Sequence, residues 1–202
     1  MRISQLSSTT GVPVATIKFY LREGMLMPGE ATSATQALYG EAHVRRIALI
    51  RALSDVAGLP LQKVKVVLAL IEHPDASLFD TLGEAVAALP PYLDTAPPYP
   101  RAQAALAEVG QVFDPQYAAV AQLERALEAV ETAGIPMTSD RLSVYAEHLR
   151  AIAAYDLAQM PADAEAAVEY AVLGTALYEP IVAALRRLAH QDIAARMLTP
   201  EE

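Results

Sequence analysis

Five of the chain's fourteen prolines fall within eleven residues: Pro90, Pro91, Pro97, Pro98 and Pro100. Proline lacks the amide N–H that a helix needs and holds the preceding residue out of helical geometry. No helix can therefore cross this stretch, which reads as a stiff linker or a wrapped loop. A softer break stands at His73-Pro74-Asp75. The 202 residues thus divide into a head over 1–73, a short helix with a proline-rich linker over 74–100, and a body over 101–202.

Both larger parts are expected to be helical. Alanine supplies 40 of the 202 residues, glycine is scarce and β-branched runs are few, which favours helix by propensity. There is no cysteine, so disulfides, thiolate zinc sites, Cys-ligated iron–sulfur clusters and thiol redox sensing are excluded. No run of 18 or more apolar residues is free of charge or proline, and the first residues lack an apolar signal core. A cytoplasmic protein without a membrane span is the expectation.

The net charge of −9 argues at first against nucleic acid. The charge is unevenly placed. Residues 1–73 hold eight Lys/Arg and five Asp/Glu, for +3, whereas residues 74–202 hold seven and nineteen, for −12. All three lysines lie in the first segment. Such asymmetry fits a nucleic-acid-binding head on an acidic body, or a chance distribution over a solvated surface.

Within the head, Ile3, Leu6 and Ser7 begin a short helix that Thr10-Gly11-Val12-Pro13 interrupts. A second helix is expected from about Val14 to Glu23, with Gly24 suited to the position after its end. A short helix, a glycine-containing turn and a second short helix make a helix-turn-helix pattern. Met25-Leu26-Met27-Pro28, a small polar run from Gly29 to Thr35, and Leu38-Tyr39 then predict a β-hairpin wing. Helical spacing returns from Glu41 to Val56, Gly58-Leu59-Pro60 ends it, and Leu61 to Glu72 forms another helix.

These stretches resemble the winged helix-turn-helix domain of the MerR family of transcription regulators. The matching segments are Ile3-Ser4-Gln5-Leu6, Thr10-Gly11-Val12, Ala15-Thr16-Ile17-Lys18-Phe19-Tyr20, Arg22-Glu23-Gly24-Met25-Leu26, Leu38-Tyr39, Val44-Arg45-Arg46-Ile47 and Gly58-Leu59-Pro60-Leu61-Gln62-Lys63-Val64. They keep the family's order and spacing over about a third of the chain. The expected fold is all-α apart from a small β-hairpin wing, with a multi-helix bundle as body.

The second helix would then enter the major groove. Lys18 and Arg22 are one turn apart on one face, within reach of phosphates or base edges, and Thr16 sits near the helix start. The resemblance implies that Tyr20 is the family tyrosine that contacts the DNA backbone, with a core position as its alternative, while Phe19 is assigned to the core. Where the family usually has a Gly-Tyr-Arg run before the Leu38-Tyr39 pair, this chain has Thr35-Gln36-Ala37. The wing arginine is missing. Thr32, Ser33, Thr35, Gln36 and Tyr39 remain as uncharged wing contacts, and fewer phosphates would be neutralised. Arg45 and Arg46 open the next helix, and Lys63 and Lys65 resemble the family's second wing. A solvated cationic face is the alternative for any one of these.

The body reads as helices over Arg101–Gln111, from Asp114 (as N-cap, with Pro115 first inside) to about Thr132, from a Thr138–Asp140 cap to about Gln159, and from about Asp163 to Met197. A bend is expected at Pro180. Helix count and order resemble the regulatory domain of TetR-family repressors. Around the last helix, Val172, Leu173, Leu177, Ile181 and Leu185 cover most of the circumference. A helix apolar nearly all round is buried on more than one side, so one side is expected on its own core and another on a second subunit, the alternative being a central core helix in a monomer. Phe113, Tyr117, Met137, Tyr145, Tyr155, Tyr170 and Tyr178 either line an apolar ligand pocket or fill gaps between alanines.

The four histidines are scattered, so no metal site is expected. No nucleophile–base pair or phosphate-cradling loop stands out, and neither a catalytic residue nor a cofactor is expected. The reading is a homodimeric regulator that binds and distorts double-stranded promoter DNA, acts on RNA polymerase indirectly and responds to an unidentified small molecule. The reading from another class is an acidic helical adaptor or anti-regulator working through protein contacts.

Overall fold

The structure, a computed structural model, describes residues 1–33, 36–73, 77–93 and 96–198. Its contacts divide the chain into two units, Met1–Leu68 with Leu177–Glu202, and Ala69–Ala176.

In the first unit, helix α1 spans Ile3–Thr10 and α2 spans Val14–Arg22. Gly11 between them has φ 69°, a conformation that side-chain-bearing residues rarely adopt. The Ser7 and Thr10 hydroxyls donate to the Val12 and Leu6 carbonyls at 2.7 and 2.8 Å and tighten this turn. Helix α2 ends as the sequence predicts. Gly24 takes φ 71°. The Met25 amide reaches back to the Tyr20 carbonyl at 2.9 Å and the Gly24 amide to the Leu21 carbonyl at 3.2 Å. These two bonds satisfy carbonyls that a helix end leaves open.

The wing is two antiparallel strands, β1 (Glu30–Ser33) and β2 (Gln36–Leu38), paired Glu30 to Leu38 and Ala31 to Ala37 with a register shift before Ser33. Thr35, one of the expected uncharged contacts, lies outside the described residues. A Cβ on Gly29 would meet the Leu38 carbonyl oxygen at 2.7 Å, so only glycine fits there. The Met1 ammonium donates to the Tyr39 carbonyl at 2.7 Å, and the Tyr39 amide donates to the Met1 carbonyl at 2.8 Å. The chain start thus straps the end of the wing.

Helix α3 spans Glu41–Arg51 and continues as a π-helical turn over Ala52–Val56, closed by an Ala57 amide to Ala52 carbonyl bond of 3.1 Å. Helix α4 spans Leu61–Glu72. Leu6, Ile17, Leu26, Ile47, Ile50, Leu53, Val64, Val67 and Leu68 are fully buried and form the core here.

In the second unit, α5 spans Leu78–Ala87, α6 Pro100–Glu108, α7 Ala118–Thr132 and α8 Ser139–Ala158. Among the described residues no helix crosses the proline stretch, as expected. The start of α7 differs from the sequence reading. Asp114 does not cap it; its carboxylate accepts the Gln116 amide at 2.9 Å and closes a local turn, a competing use typical of Asp. Tyr117 is then extended, at φ −76° and ψ 121°, and the helix begins one residue later. That extension lets Tyr117 pack on Tyr99, Ala102 and Val120 together with Leu106 and Phe113. Glu124 on α7 accepts the Ala102 amide at 2.8 Å, capping the start of α6, and pairs with Arg101 at 3.2 Å. Thr138 caps α8 as read from the sequence, accepting the Arg141 amide.

Helix α9 runs over Ala164–Leu198 with Pro180 inside it. Ala167, Val168, Ala171, Val172 and Ala176 are buried, whereas Tyr178, Ile181, Leu185, Leu188 and Ile193 are exposed. By length and composition its Ala166–Leu198 stretch could cross a membrane. Glu179, Arg186, Arg187, Asp192 and Arg196 lie within that stretch, and charges at such depth are costly.

Candidate nucleic-acid interface

Helix α2 gives the interface its geometry. Ile17 and Tyr20, three residues apart, face inward, and Lys18 and Arg22, four apart, are exposed. One face is locked into the core while the other presents two cations along about one helical turn. Thr16 is half-buried at the start of that face. The Arg22 guanidinium lies 5.4 Å from the centre of the Phe19 ring, and its contact with Glu23 is long, at 3.8 Å. Arg22 is therefore supported by an aromatic surface while its side chain stays 68% exposed.

The structure reverses the assignment of the two adjacent aromatics. Tyr20, expected on the DNA side, is only 6% exposed and belongs to the core. Phe19, expected in the core, is half-buried beneath Arg22. Burial raises the Tyr20 hydroxyl above its ordinary value; the Asp55 carboxylate adds to this and Arg51 opposes it. The phenol is thus held neutral.

Tyr39 is also buried, edge-on to the His43 ring at 5.1 Å. Its ring packs the base of the wing instead of lying on the wing's outer surface. Ser33 and Gln36 are exposed on the strands.

Arg45 and Arg46 of α3 separate in role. Arg45 is exposed. Arg46 is half-buried and donates from Nε to the Met25 carbonyl at 2.8 Å. It ties α3 to the turn that ends α2, which fixes the position of that helix. On α4, Lys65 is exposed and Lys63 half-buried. Of the cations expected to contact DNA, Lys18, Arg22, Arg45 and Lys65 are therefore the exposed ones.

A pair that sequence reasoning gave no role also belongs to this unit. Arg51 and Asp55 form an ion pair of 3.1 Å across the π-helical turn. The hydrogen bond from Ser54, then that from Arg51, holds the Asp55 carboxyl below its ordinary value. Their four-residue spacing is the signal that could have revealed the pair. They border a cavity of about 480 Å³ with Thr9, Thr10, Val44 and Ile47.

The residues expected to line a ligand pocket are not gathered in either of the two cavities described. Phe113 and Tyr117 belong to the Tyr99 cluster, and Tyr155 and Tyr178 are exposed. Met137, Tyr145 and Tyr170 are half-buried on three different segments. The residues expected at a subunit interface split as well. Val172 is fully enclosed within its own chain and cannot meet a second copy, Leu173 and Leu177 are half-buried, and Ile181 and Leu185 are exposed.

Residues 1–71 match the family described as MerR HTH family regulatory protein. The nodulation protein NolA of Bradyrhizobium sp. (strain NC92) is 34% identical over 64 residues, which cover 32% of this chain and 27% of that protein. The chain therefore matches about a quarter of that relative's length. The crystal structure of SCO5550 from Streptomyces coelicolor A3(2), which carries the designation of a transcriptional regulator, superposes with a TM-score of 0.63 at 28% identity and covers 100% of both chains. Residues 1–71 thus match a MerR-type helix-turn-helix domain in sequence. None of these matches bears on the resemblance of the body to TetR-family domains.

Proposed function

We propose that this protein is a sequence-specific, homodimeric DNA-binding regulator of the MerR type, not an enzyme, that binds and distorts promoter DNA in the cytoplasm. The observation that carries the reading is the outward face of α2, where Lys18 and Arg22 stand exposed on a helix whose other face is buried. A helix of this kind, in a domain of this type, lies in the major groove and meets phosphates and base edges. Arg45 and Lys65 extend the positive surface, while the uncharged wing contributes hydrogen bonds only.

Two-fold binding follows from paired half-sites. The exposed stripe of Tyr178, Ile181, Leu185 and Leu188 on α9 is the surface through which a second copy would hold the two heads at fixed separation. A fixed separation is what bending or untwisting the duplex requires, since deformation costs about 1–6 kcal/mol even for smooth bends. RNA polymerase would feel this indirectly, through the shape of the promoter.

The test is fluorescence anisotropy on a duplex selected in vitro from a random library, repeated over a salt series. A regulator shows binding that weakens linearly with the logarithm of salt. Arg22→Ala should lower that slope by about one. An absence of salt-dependent binding to duplex DNA or heparin would overturn the reading in favour of an acidic adaptor that works through protein contacts.

A further inference from the structure

Helix α8 is twenty residues long and contains no buried residue. Leu149 is 53% exposed, Ile152 40% and Tyr155 68%. An isolated helix of this length is marginal in water, and most helices owe their stability to a packed face. Its surface is also patterned. The segment Leu149-Arg150-Ala151-Ile152-Ala153-Ala154-Tyr155-Asp156-Leu157-Ala158 returns on α9 as Leu185-Arg186-Arg187-Leu188-Ala189-His190-Gln191-Asp192-Ile193-Ala194. Leu, Arg, Ala, Asp and Ala recur in place, and Ile152 and Leu157 exchange with Leu188 and Ile193. The exposures match as well, with Leu185 at 59%, Leu188 at 58% and Ile193 at 55%.

We propose that α8 is a second self-association face, covered by α8 of another copy lying antiparallel to it. The inference rests on the dimer reading, which assigns the matching stripe on α9 to a second copy. Charge selects the occupant and its direction. Among the described residues the Arg141 and Asp156 side chains have no ion-pair partner within the chain. An antiparallel copy centred between His148 and Leu149 sets Arg141 opposite the partner's Asp156, and the two-fold axis repeats the pair at the other end. The same register sets Leu142 opposite the partner's Tyr155 and Tyr145 opposite the partner's Ile152. A parallel copy would instead oppose like charges at both ends, which disfavours it.

Sedimentation velocity over a concentration series tests this on the full chain, with Arg141→Asp, Asp156→Arg, the double variant, Ile152→Glu and, as a reference, Ile181→Glu. Circular dichroism checks that helicity is kept. Each single reversal and Ile152→Glu should weaken self-association by about tenfold or more, and the double reversal should return it to within about threefold of wild type. Unchanged self-association in all α8 variants, with Ile181→Glu monomeric, overturns the α8 pairing and leaves the dimer reading intact. A double reversal as weak as the singles also overturns it. Recruitment of α8 to anionic lipid vesicles by an otherwise monomeric protein assigns the face to a membrane and overturns it too. A wild-type monomer at about 10 μM removes the dimer reading itself, and this inference with it.

Discussion

The Arg22 guanidinium carbon stands 5.4 Å from the centroid of the Phe19 ring, three residues earlier on the same helix. Two consequences follow from this relationship. The guanidinium has fewer orientations to lose when it meets a phosphate or a base. On the proposed reading the phenylalanine, though it has no polar atom, would be a positioning residue for the DNA contact.

Phe19→Ala should therefore weaken DNA binding while the head stays folded. An exposed cation–π contact is worth about 0.5–1 kcal/mol, so the expected loss is about two- to fivefold in affinity. The same change in an Arg22→Ala background should add little, because the group it supports has gone. Equal losses in both backgrounds, measured by anisotropy, would show that Phe19 acts by itself.

The reversal of Phe19 and Tyr20 shows where sequence reading reaches its limit. The turn glycines Gly11 and Gly24, the break before α6 and the Thr138 cap were all legible, because each is a local backbone requirement. The position of Tyr20 was legible too, since it lies three residues after Ile17 and so on the same helix face. Its hydroxyl and its family likeness drew it outward instead. Asp114 could not be placed from sequence, because a cap and a local turn use the same carboxylate. Val172 and Ile181 look alike on a helical wheel, and tertiary packing alone decides that the first is enclosed and the second exposed.

Arg45 and Arg46, adjacent in sequence, should behave differently. Arg46→Met removes the bond to the Met25 carbonyl. Hydrogen bonds from charged groups contribute about 1.5–3 kcal/mol, so urea unfolding should register a loss of that order. Arg45→Ala should leave unfolding unchanged and lower the salt slope of DNA binding by about one. A stability loss at Arg45, or none at Arg46, would reverse these roles.

Glycine is required at position 29 and not at 40. A Cβ at Gly29 would lie 2.7 Å from the Leu38 carbonyl and 2.9 Å from the Tyr39 ring, whereas one at Gly40 would meet nothing within 4 Å. Gly29→Ala should displace the wing, destabilise the head by about 1–3 kcal/mol and accelerate amide exchange at Tyr39. Gly40→Ala should do none of these.

Two titrations bound the stability of the head, with opposite signs. Asp55 is held below its ordinary value of 3.8, first by Ser54 and then by Arg51. Its contribution is present above that value and is lost as pH falls through the lower, folded-state value. Tyr20 is raised above 10.0, first by burial. Its contribution is present below 10.0 and is lost as pH rises through the higher, folded-state value. Asp55→Asn should therefore flatten the acid limb of the urea-midpoint profile, and Tyr20→Phe the alkaline limb. Profiles that keep both limbs would disconnect these groups from folding.

The dimer reading makes its sharpest prediction along a single helix. Val172 is fully buried within its own chain, whereas Ile181 is 51% exposed in the same helix. A glutamate at 172 forces a charge into packed apolar surroundings and should unfold the second unit, since an unpaired buried charge is strongly destabilising. A glutamate at 181 or 185 meets water in the single chain and should leave its helicity intact. In a dimer that uses this stripe, the same glutamates would bury an unpaired charge in the interface, and the complex should weaken by at least about a hundredfold. Light scattering and circular dichroism read the two effects separately. Ile181→Glu and Leu185→Glu proteins that remain dimeric would place the subunit contact elsewhere. Glutamate at 172 that folds normally would show that the Val168–Ala176 stretch is not the packed segment of α9.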